Sequence, residues 1–282
     1  MFRNYLPLFL VCCLGLLVES AQGRSGPGVK YIENKNQWPV EVDFSARIPG
    51  GRMFIGPGRF VYNFLDEGRL EELHLHTHSP SDGEQRSLSG ELINGHTVVV
   101  EFSGANTSAA PLSFGKSFEY YNYFLGNDSC KWAARAYAYQ GFIYRSFYNG
   151  VDLKVYSEGV NVKYDFVVAS GADPHVIAFT YNGFETLGLD AAGDLIVNTS
   201  VSSMREKKPV AYQIIDGKRV FVPCMYSLKN GRVQFSFPNG YDACYELVID
   251  PLLIFSTYSG STADNWGSTA TPGEKATCIQ QV

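Results

Sequence analysis

Val210 to Ser236 reads VAYQIIDGKRVFVPCMYSLKNGRVQFS, and two dipeptides inside it, Asp216-Gly217 and Asn230-Gly231, decide the fold class. Each stands between runs rich in Val, Ile, Tyr and Phe. Asp-Gly and Asn-Gly tolerate the positive φ that a type I′ turn demands at both central residues, and the twist of that turn matches the strands it joins. The spacing therefore predicts two tight antiparallel hairpins. Outward from them, Val151 to Pro251 continues in the same manner: LKVYSEGVNVKYDFVV, LGLDAAGDLIVNT and YELVIDP are further strand-like runs cut by turn residues. The expected fold is all-β, an antiparallel hairpin ladder forming one or two β-sandwich-like lobes.

Upstream, KYIENKNQWPVEVDFSARIPGGRMFIGPGRFVYNFLD alternates β-rich runs with punctuation at Pro49-Gly50-Gly51 and Gly56-Pro57-Gly58, which predicts short strands between sharp turns. Val40, Val42 and Phe44 alternate with Glu41 and Asp43, the period of a half-buried strand. Asn94-Gly95 leads into HTVVVEFSGAN, a further strand. Gly126-Asn127-Asp128 reads as a turn, with Trp132 anchoring the strand after it, and Gly171-Ala172-Asp173-Pro174 turns the chain again.

Met1 to Gly23 carries Arg3 followed by YLPLFLVCCLGLLV, an apolar run of signal-peptide length and short of the roughly 20 residues that a spanning helix needs. Ala21 and Gly23 fit a small-residue cleavage site. The expectation is an exported chain that starts near Arg24 and is extracellular or held at the cell surface, with no membrane insertion after cleavage. Cys12 and Cys13 lack the small residue expected before a lipidated cysteine. Loss of Arg3 and Glu19 leaves the formal net charge at -5. No basic excess is present to hold nucleic acid. Aromatic residues make up 14% of the chain against 18% charged, which suits sheets whose pleated faces are filled by Tyr and Phe.

Four cysteines lie beyond the leader: Cys130, Cys224, Cys244 and Cys278. With a two-residue turn at Asn230-Gly231, Lys229 faces Arg232 and Cys224 falls opposite Phe237, which puts Cys244 on the next strand. Two strand spacings are roughly 9.6 Å, beyond the roughly 7 Å Cα limit for a bridge. Cys224 and Cys244 are expected as free, buried thiols.

The polar stretch Glu67 to Glu91 reads as a surface excursion. Within it His74, His76 and His78 would share one face of an extended strand, but their spacing of about 6.6 Å strains convergence on one ion, and a plain polar strand face is favoured. The aromatic density peaks in LSFGKSFEYYNYFLGNDSCKWAARAYAYQGFIYRSFYNG. Those rings are either the core and the seam between sheets, the favoured reading, or a stacking platform for sugars. Elastic motifs of chemistry, such as G-x-S-x-G, H-E-x-x-H, the phosphate-binding glycine loops and C-x-x-C, are absent. Paired carboxylates for glycoside hydrolysis need only the right separation, and nothing in the sequence selects a pair.

ENKNQWP, IPGGRMFI, VEFSGAN, YYNYFLGND with KW close behind, YNGVDLKVYS, VKYDFVV with GADP, KPVAYQ and VIDPLLIFSTY together resemble an N-terminal domain of unknown function. That domain precedes SBBP-type β-propeller repeats in secreted surface proteins of Bacteroidetes-type bacteria. The resemblance runs from about Tyr31 to Tyr258. It implies an extracellular all-β domain, often exported by the type IX route, for which no catalytic residues are known. FSTYSGSTADNWGSTAT then resembles the opening of a first repeat, after which EKATCIQQV departs from the pattern. The implied organisation is a leader over 1–23, an all-β domain over 24–251 with possible sub-lobes 29–126 and 127–251, and an incomplete repeat with an aberrant tail over 252–282 in a truncated or frameshifted chain. Asp128-Ser129-Cys130 resembles a bacterial O-glycosylation acceptor, with plain turn chemistry favoured.

These observations point to a non-catalytic extracellular module, structural or adhesion-type, placed before a β-propeller. The alternative is a secreted polysaccharide-binding or carbohydrate-active protein. No catalytic, cofactor-binding or metal residue is assigned, no cofactor is called for, and the expected partner is an extracellular protein or a glycan.

Overall fold

In the computed structural model, residues 28–66, 68–69, 93–124, 126–257, 269–272 and 278–281 are described. The stretch with His74, His76 and His78, the leader, and most of the segment after Thr257 lie outside them. The described chain is all-β and every strand pairing is antiparallel.

Two sheets carry the fold. Sheet A runs in spatial order through β18 (Met225–Lys229), β19 (Arg232–Ser236), β12 (Ala178–Asn182), β5 (Gly95–Phe102), β4 (Arg59–Leu65), β3 (Gly51–Gly56), β2 (Phe44–Ile48), β1 (Tyr31–Glu33), β8 (Ala133–Tyr139) and β7 (Tyr120–Tyr123). Sheet B runs through β13 (Thr186–Leu189), β14 (Leu195–Asn198), β15 (Ser202–Glu206), β21 (Leu252–Thr257), β11 (Asn161–Val168), β10 (Val151–Glu158), β9 (Gly141–Tyr148) and β6 (Pro111–Phe114). A branch of β20 (Leu247–Asp250), β16 (Val210–Ile215) and β17 (Lys218–Val222) leaves it at β11. β22 (Thr269–Pro272) and β23 (Cys278–Gln281) pair with each other and with no other described strand.

The sheets face each other across aromatic rings in a sandwich-like arrangement. Phe44 of sheet A stacks on Phe142 of sheet B at 4.3 Å, and edge-to-face pairs join Tyr31 to Phe142, Phe102 to Phe147 and Phe166 to Phe235. Offset and T-shaped pairs of this kind add to the area they bury. Tyrosine hydroxyls then tie one sheet to the other: Tyr31 Oη donates to the Tyr156 carbonyl at 2.7 Å, Tyr144 Oη to Asp43 Oδ2 at 2.6 Å, and Tyr148 Oη to the Ala178 carbonyl at 3.1 Å. One core takes side chains from both sheets, and each sheet contains strands from either side of residue 126.

The two predicted turns form as expected. Asp216 and Gly217 have φ of 51° and 74°, Asn230 and Gly231 of 52° and 75°, and Lys229 opposes Arg232. The antiparallel hairpins of the ladder form and are shared between two sheets: β12 and the β18–β19 pair join sheet A, and the rest stay in sheet B. The physical reason lies in Phe179, Tyr181, Tyr226, Val233 and Phe235, whose buried faces must meet an opposing sheet, with Pro174 and Pro223 at the crossings between sheets.

Other expectations change as well. Val40 and Val42 precede the strand, Val40 is exposed, and pairing begins only at Phe44. Cys224 is buried, but Cys244 is exposed in the loop before β20, because the far side of β19 is occupied by β12. Cys130, Cys224 and Cys244 are all free thiols.

Prolines explain the fork in sheet B. Glu206 opposes Leu253, Lys207 N donates to the Leu252 carbonyl at 2.9 Å, and pairing resumes at Val210 opposite Asp250. Between these points Pro209 and Pro251 each lack the N–H a ladder needs. One long strand pair is therefore interrupted, and β15 leads on to β14 and β13 while β16 leads to β17.

Candidate binding surface

Two groups of exposed large apolar side chains stand out among the described residues, and the first lies on and beside the β7–β8 hairpin. Among the described residues β7 is the last strand of sheet A and pairs only with β8. Tyr120 opposes Tyr137 and Tyr121 opposes Ala136; the register then slips before Tyr123 opposite Ala133. Arg135 absorbs the slip with φ of 55°, and its N–H donates to Asn122 Oδ1 at 2.9 Å. A bulge of this kind twists an edge strand and re-aims its side chains.

Beyond β7, Gly126 takes φ of 66° and Asp128 Oδ1 accepts from Cys130 N at 3.0 Å, starting a short 3-10 turn over Ser129–Lys131. Ser129 is exposed there, and capping accounts for Asp128. Trp132 lies on the surface, 44% exposed, and fixes the loop rather than the strand: its Nε1 donates to the Gly126 carbonyl at 3.1 Å, and its ring meets Phe124 edge-on at 5.7 Å. Phe124 is 59% exposed. Tyr120 meets Tyr137 at 6.1 Å, and Lys116 Nζ sits 3.5 Å above the Tyr137 ring. Phe118, Tyr120 and Tyr121 are also exposed.

The outcrop is held rigidly on its inner flank. Trp38 is buried between Phe54 and Tyr123, with edge contacts of 5.8 and 5.3 Å, and closes a second small core with Ile32, Val61, Ala136 and Ala138. Asn34 builds the loop that delivers Trp38. Its Nδ2 donates to the carbonyls of Trp38, Pro39 and Val42, while its Oδ1 accepts from the N–H groups of Asn36 and Trp38. Gln37 adds Nε2 to the Glu33 carbonyl and Oε1 from Lys35 N.

The aromatic-rich segment thus divides. Phe142, Tyr144, Phe147 and Tyr148 of β9 are core, whereas Phe118, Tyr120, Tyr121, Phe124 and Trp132 are exposed and Tyr123 between them packs on Trp38. Sequence could not separate them, because both stretches pair Tyr and Phe with β-propensity and only the position of β7 at the sheet edge distinguishes them.

Titratable groups elsewhere gather in compact clusters, in which Asp250 Oδ1 and the Tyr62 hydroxyl are buried without a hydrogen-bond partner among the described residues. Asp165 and Asp250 come together on the outer face of sheet B. Burial and then the Asp250 charge push the Asp165 carboxyl up to about 6, Tyr156 Oη donates to it at 3.2 Å, and Lys163 Nζ donates to Asp250 at 2.9 Å. Glu206 is buried in the core and accepts from the hydroxyls of Tyr164 at 2.8 Å, Tyr226 at 3.1 Å and Tyr181. Asp194, buried yet bonded by Lys208 N, Lys207 and Arg205, is held down to about 2. Among the described residues no group of three His, Cys, Asp or Glu side chains could hold a metal ion, and no helix is long and apolar enough to cross a membrane.

A family model described as a domain of unknown function, DUF7948, matches residues 31–252. The chain belongs to the DUF7948 family. The DUF7948 match begins at the first residue of β1 and ends at the first residue of β21, so it takes in both sheets and the β7–β8 surface. No curated protein and no solved structure matches the chain.

Proposed function

We propose that this DUF7948 chain is a non-catalytic, exported module of adhesion type that holds a glycan on the β7–β8 aromatic surface. The observation that carries the proposal is the group of exposed rings at Tyr120, Phe124 and Trp132, on and beside a strand whose Tyr123 is packed on buried Trp38. Ring faces stack on the apolar faces of sugars, and Tyr and Trp bring a polar tip to the same contact at a low entropy cost because they have few rotatable bonds. Bracing by a buried tryptophan means that little further ordering is needed on binding. Export is supported by the leader-like run over residues 1–23. The collinear motifs support a place ahead of an SBBP-type propeller in a surface protein of Bacteroidetes-type bacteria.

A glycan array followed by titration calorimetry tests the proposal. Binding by the intact chain, lost in Trp132→Ala and Tyr120→Ala with circular dichroism unchanged, is the expected result. Silence across the array, or binding untouched by both substitutions, would refute it.

A further inference from the structure

The second group of exposed apolar side chains lies on the β16–β17 hairpin and has a different character. Val210, Ile214, Val220, Phe221 and Met225 are aliphatic but for one ring, and Phe221 is 66% exposed. Among the described residues β17 pairs only with β16, and no described strand covers its other edge. Lys218 to Phe221 are exposed on both faces of the strand. Lys218 and Arg219 put one cation on each face of it, and Val220 and Phe221 put one exposed apolar side chain on each beside that edge; natural sheets avoid exposed apolar edge strands unless another strand is to be added there. A cleft of about 290 Å³ runs beside it, with Pro209, Phe221 and Pro223 in its walls.

The strand's own sequence selects its occupant. On the outer face, Phe221 lies opposite Tyr212 of β16, and the Arg219 guanidinium sits 4.1 Å from the Tyr212 ring. A twofold axis normal to the sheet keeps the outer faces of two copies together, and by the alternation of side chains such an axis must pass through a residue. Through Arg219 it would set each arginine against its own copy, a destabilising like-charge pair. Through Phe221 it would set Arg219 against Pro223, which has no N–H for the ladder. Through Val220 it sets Arg219 against Phe221 twice, cation on ring, and Lys218 against Val222, with no like charges opposed.

We infer that two copies of this chain join through β17, antiparallel about Val220, so that sheet B runs continuously across a symmetric dimer. The dimer does not depend on glycan binding at β7–β8, which lies at the edge of the other sheet. Its consequence for function is that the two aromatic surfaces would be presented by one particle, raising avidity for a repeating polymer.

Sedimentation velocity and light scattering on the purified chain over a dilution series test it. The intact chain should sediment as a dimer that dissociates on dilution. Phe221→Arg places arginine against Arg219 of the second copy and should abolish the dimer with circular dichroism unchanged, since the side chain is exposed in the single copy. The double exchange Arg219→Phe with Phe221→Arg restores cation on ring and should restore the dimer. Val220→Lys, opposed to itself at the axis, should give a monomer by an independent route. A monomer at every concentration of the intact chain would overturn the inference, as would a Phe221→Arg dimer as tight as the original.

Discussion

Replacing Glu206 by Gln should make the stability of this protein less dependent on pH, because Glu206 is a carboxylate in the middle of a dry core. It is 1% exposed, and three tyrosine hydroxyls point at its two oxygens. Hydrogen bonds to a charged group are worth roughly 1.5–3 kcal/mol each, so three of them contribute roughly 4–9 kcal/mol. Moving a carboxylate out of water costs several kcal/mol, and the two terms nearly cancel. Burial prevails, and it holds the Glu206 carboxyl above its ordinary range against the pull of the hydroxyls. Tyr62, whose buried hydroxyl has no partner, adds nothing to offset that cost.

The sign follows. Below the unfolded value of about 4.3 the group is protonated in both states and contributes no pH dependence. Above it the folded protein keeps its proton longer than the unfolded chain, so stability falls as pH rises toward the folded value. Each unit of separation amounts to about 1.4 kcal/mol. Urea unfolding followed by tryptophan fluorescence, at half-unit steps from about pH 4 to pH 8, gives the difference between the original protein and Glu206→Gln. That difference should shift in favour of Gln as pH rises and then level off. Asp165 titrates in an overlapping range but is present in both proteins and cancels. Tyr181→Phe, which removes one donor, should carry the same slope to higher pH. A flat difference, or one that moves toward the original protein with rising pH, would refute the reasoning.

Three further outcomes are open to direct measurement. Trp38→Ala should cost about 3–5 kcal/mol in urea unfolding, because it empties the second core, and it should also weaken glycan binding by loosening Tyr123. Asp194 is held to about 2 by Lys208 N, Lys207 and Arg205 against the cost of its burial, so it stabilises the fold above its ordinary range and that support is lost as pH falls through about 2; Asp194→Asn should be less stable at pH 7 and show a shallower acid transition. Mass mapping after maleimide treatment at neutral pH should find Cys130 and Cys244 labelled and Cys224 spared, since Cys224 is buried and burial pushes its thiol up to about 12.

Turns were the part of the fold most legible in the sequence, because a positive φ at Asp216 or Asn230 is a local demand that a dipeptide can advertise. Registers close to those turns followed by counting, and Lys229 opposite Arg232 is one of them. Which sheet a hairpin joins is a different kind of quantity. Phe235 alternates with polar neighbours just as Leu153 does, yet the first faces inward from sheet A and the other from sheet B. Periodicity says that a face is buried and not what covers it. The count that placed Cys244 beside β19 failed for that reason. Val40 failed for another: Asn34 draws the backbone around it into a loop through side-chain bonds that compete with strand pairing.

The motifs that carry the family resemblance can be sorted by what their residues do in the fold, and the sorting bears on where function sits. In ENKNQWP, Asn34, Gln37 and Trp38 build a loop and cap a core. KPVAYQ and VIDPLL hold the two prolines of the fork, and Gln213 fastens the loop before β20 through its bonds to Asp242 N and the Asp242 carbonyl. The glycine of YNGVDLKVYS turns β9 into β10 with φ of 72°. In YYNYFLGND with Trp132, part of the motif is equally architectural: Tyr123 packs on Trp38, Asn122 holds the bulge and Asp128 starts the 3-10 turn. Tyr120, Tyr121 and Phe124 do none of this, and a polar residue at any of them would solvate an edge strand better than a ring does. Exposed rings on and beside a strand fixed by such neighbours are the arrangement a binding surface needs, and that is the ground for proposing glycan binding there rather than chemistry at the buried carboxylates.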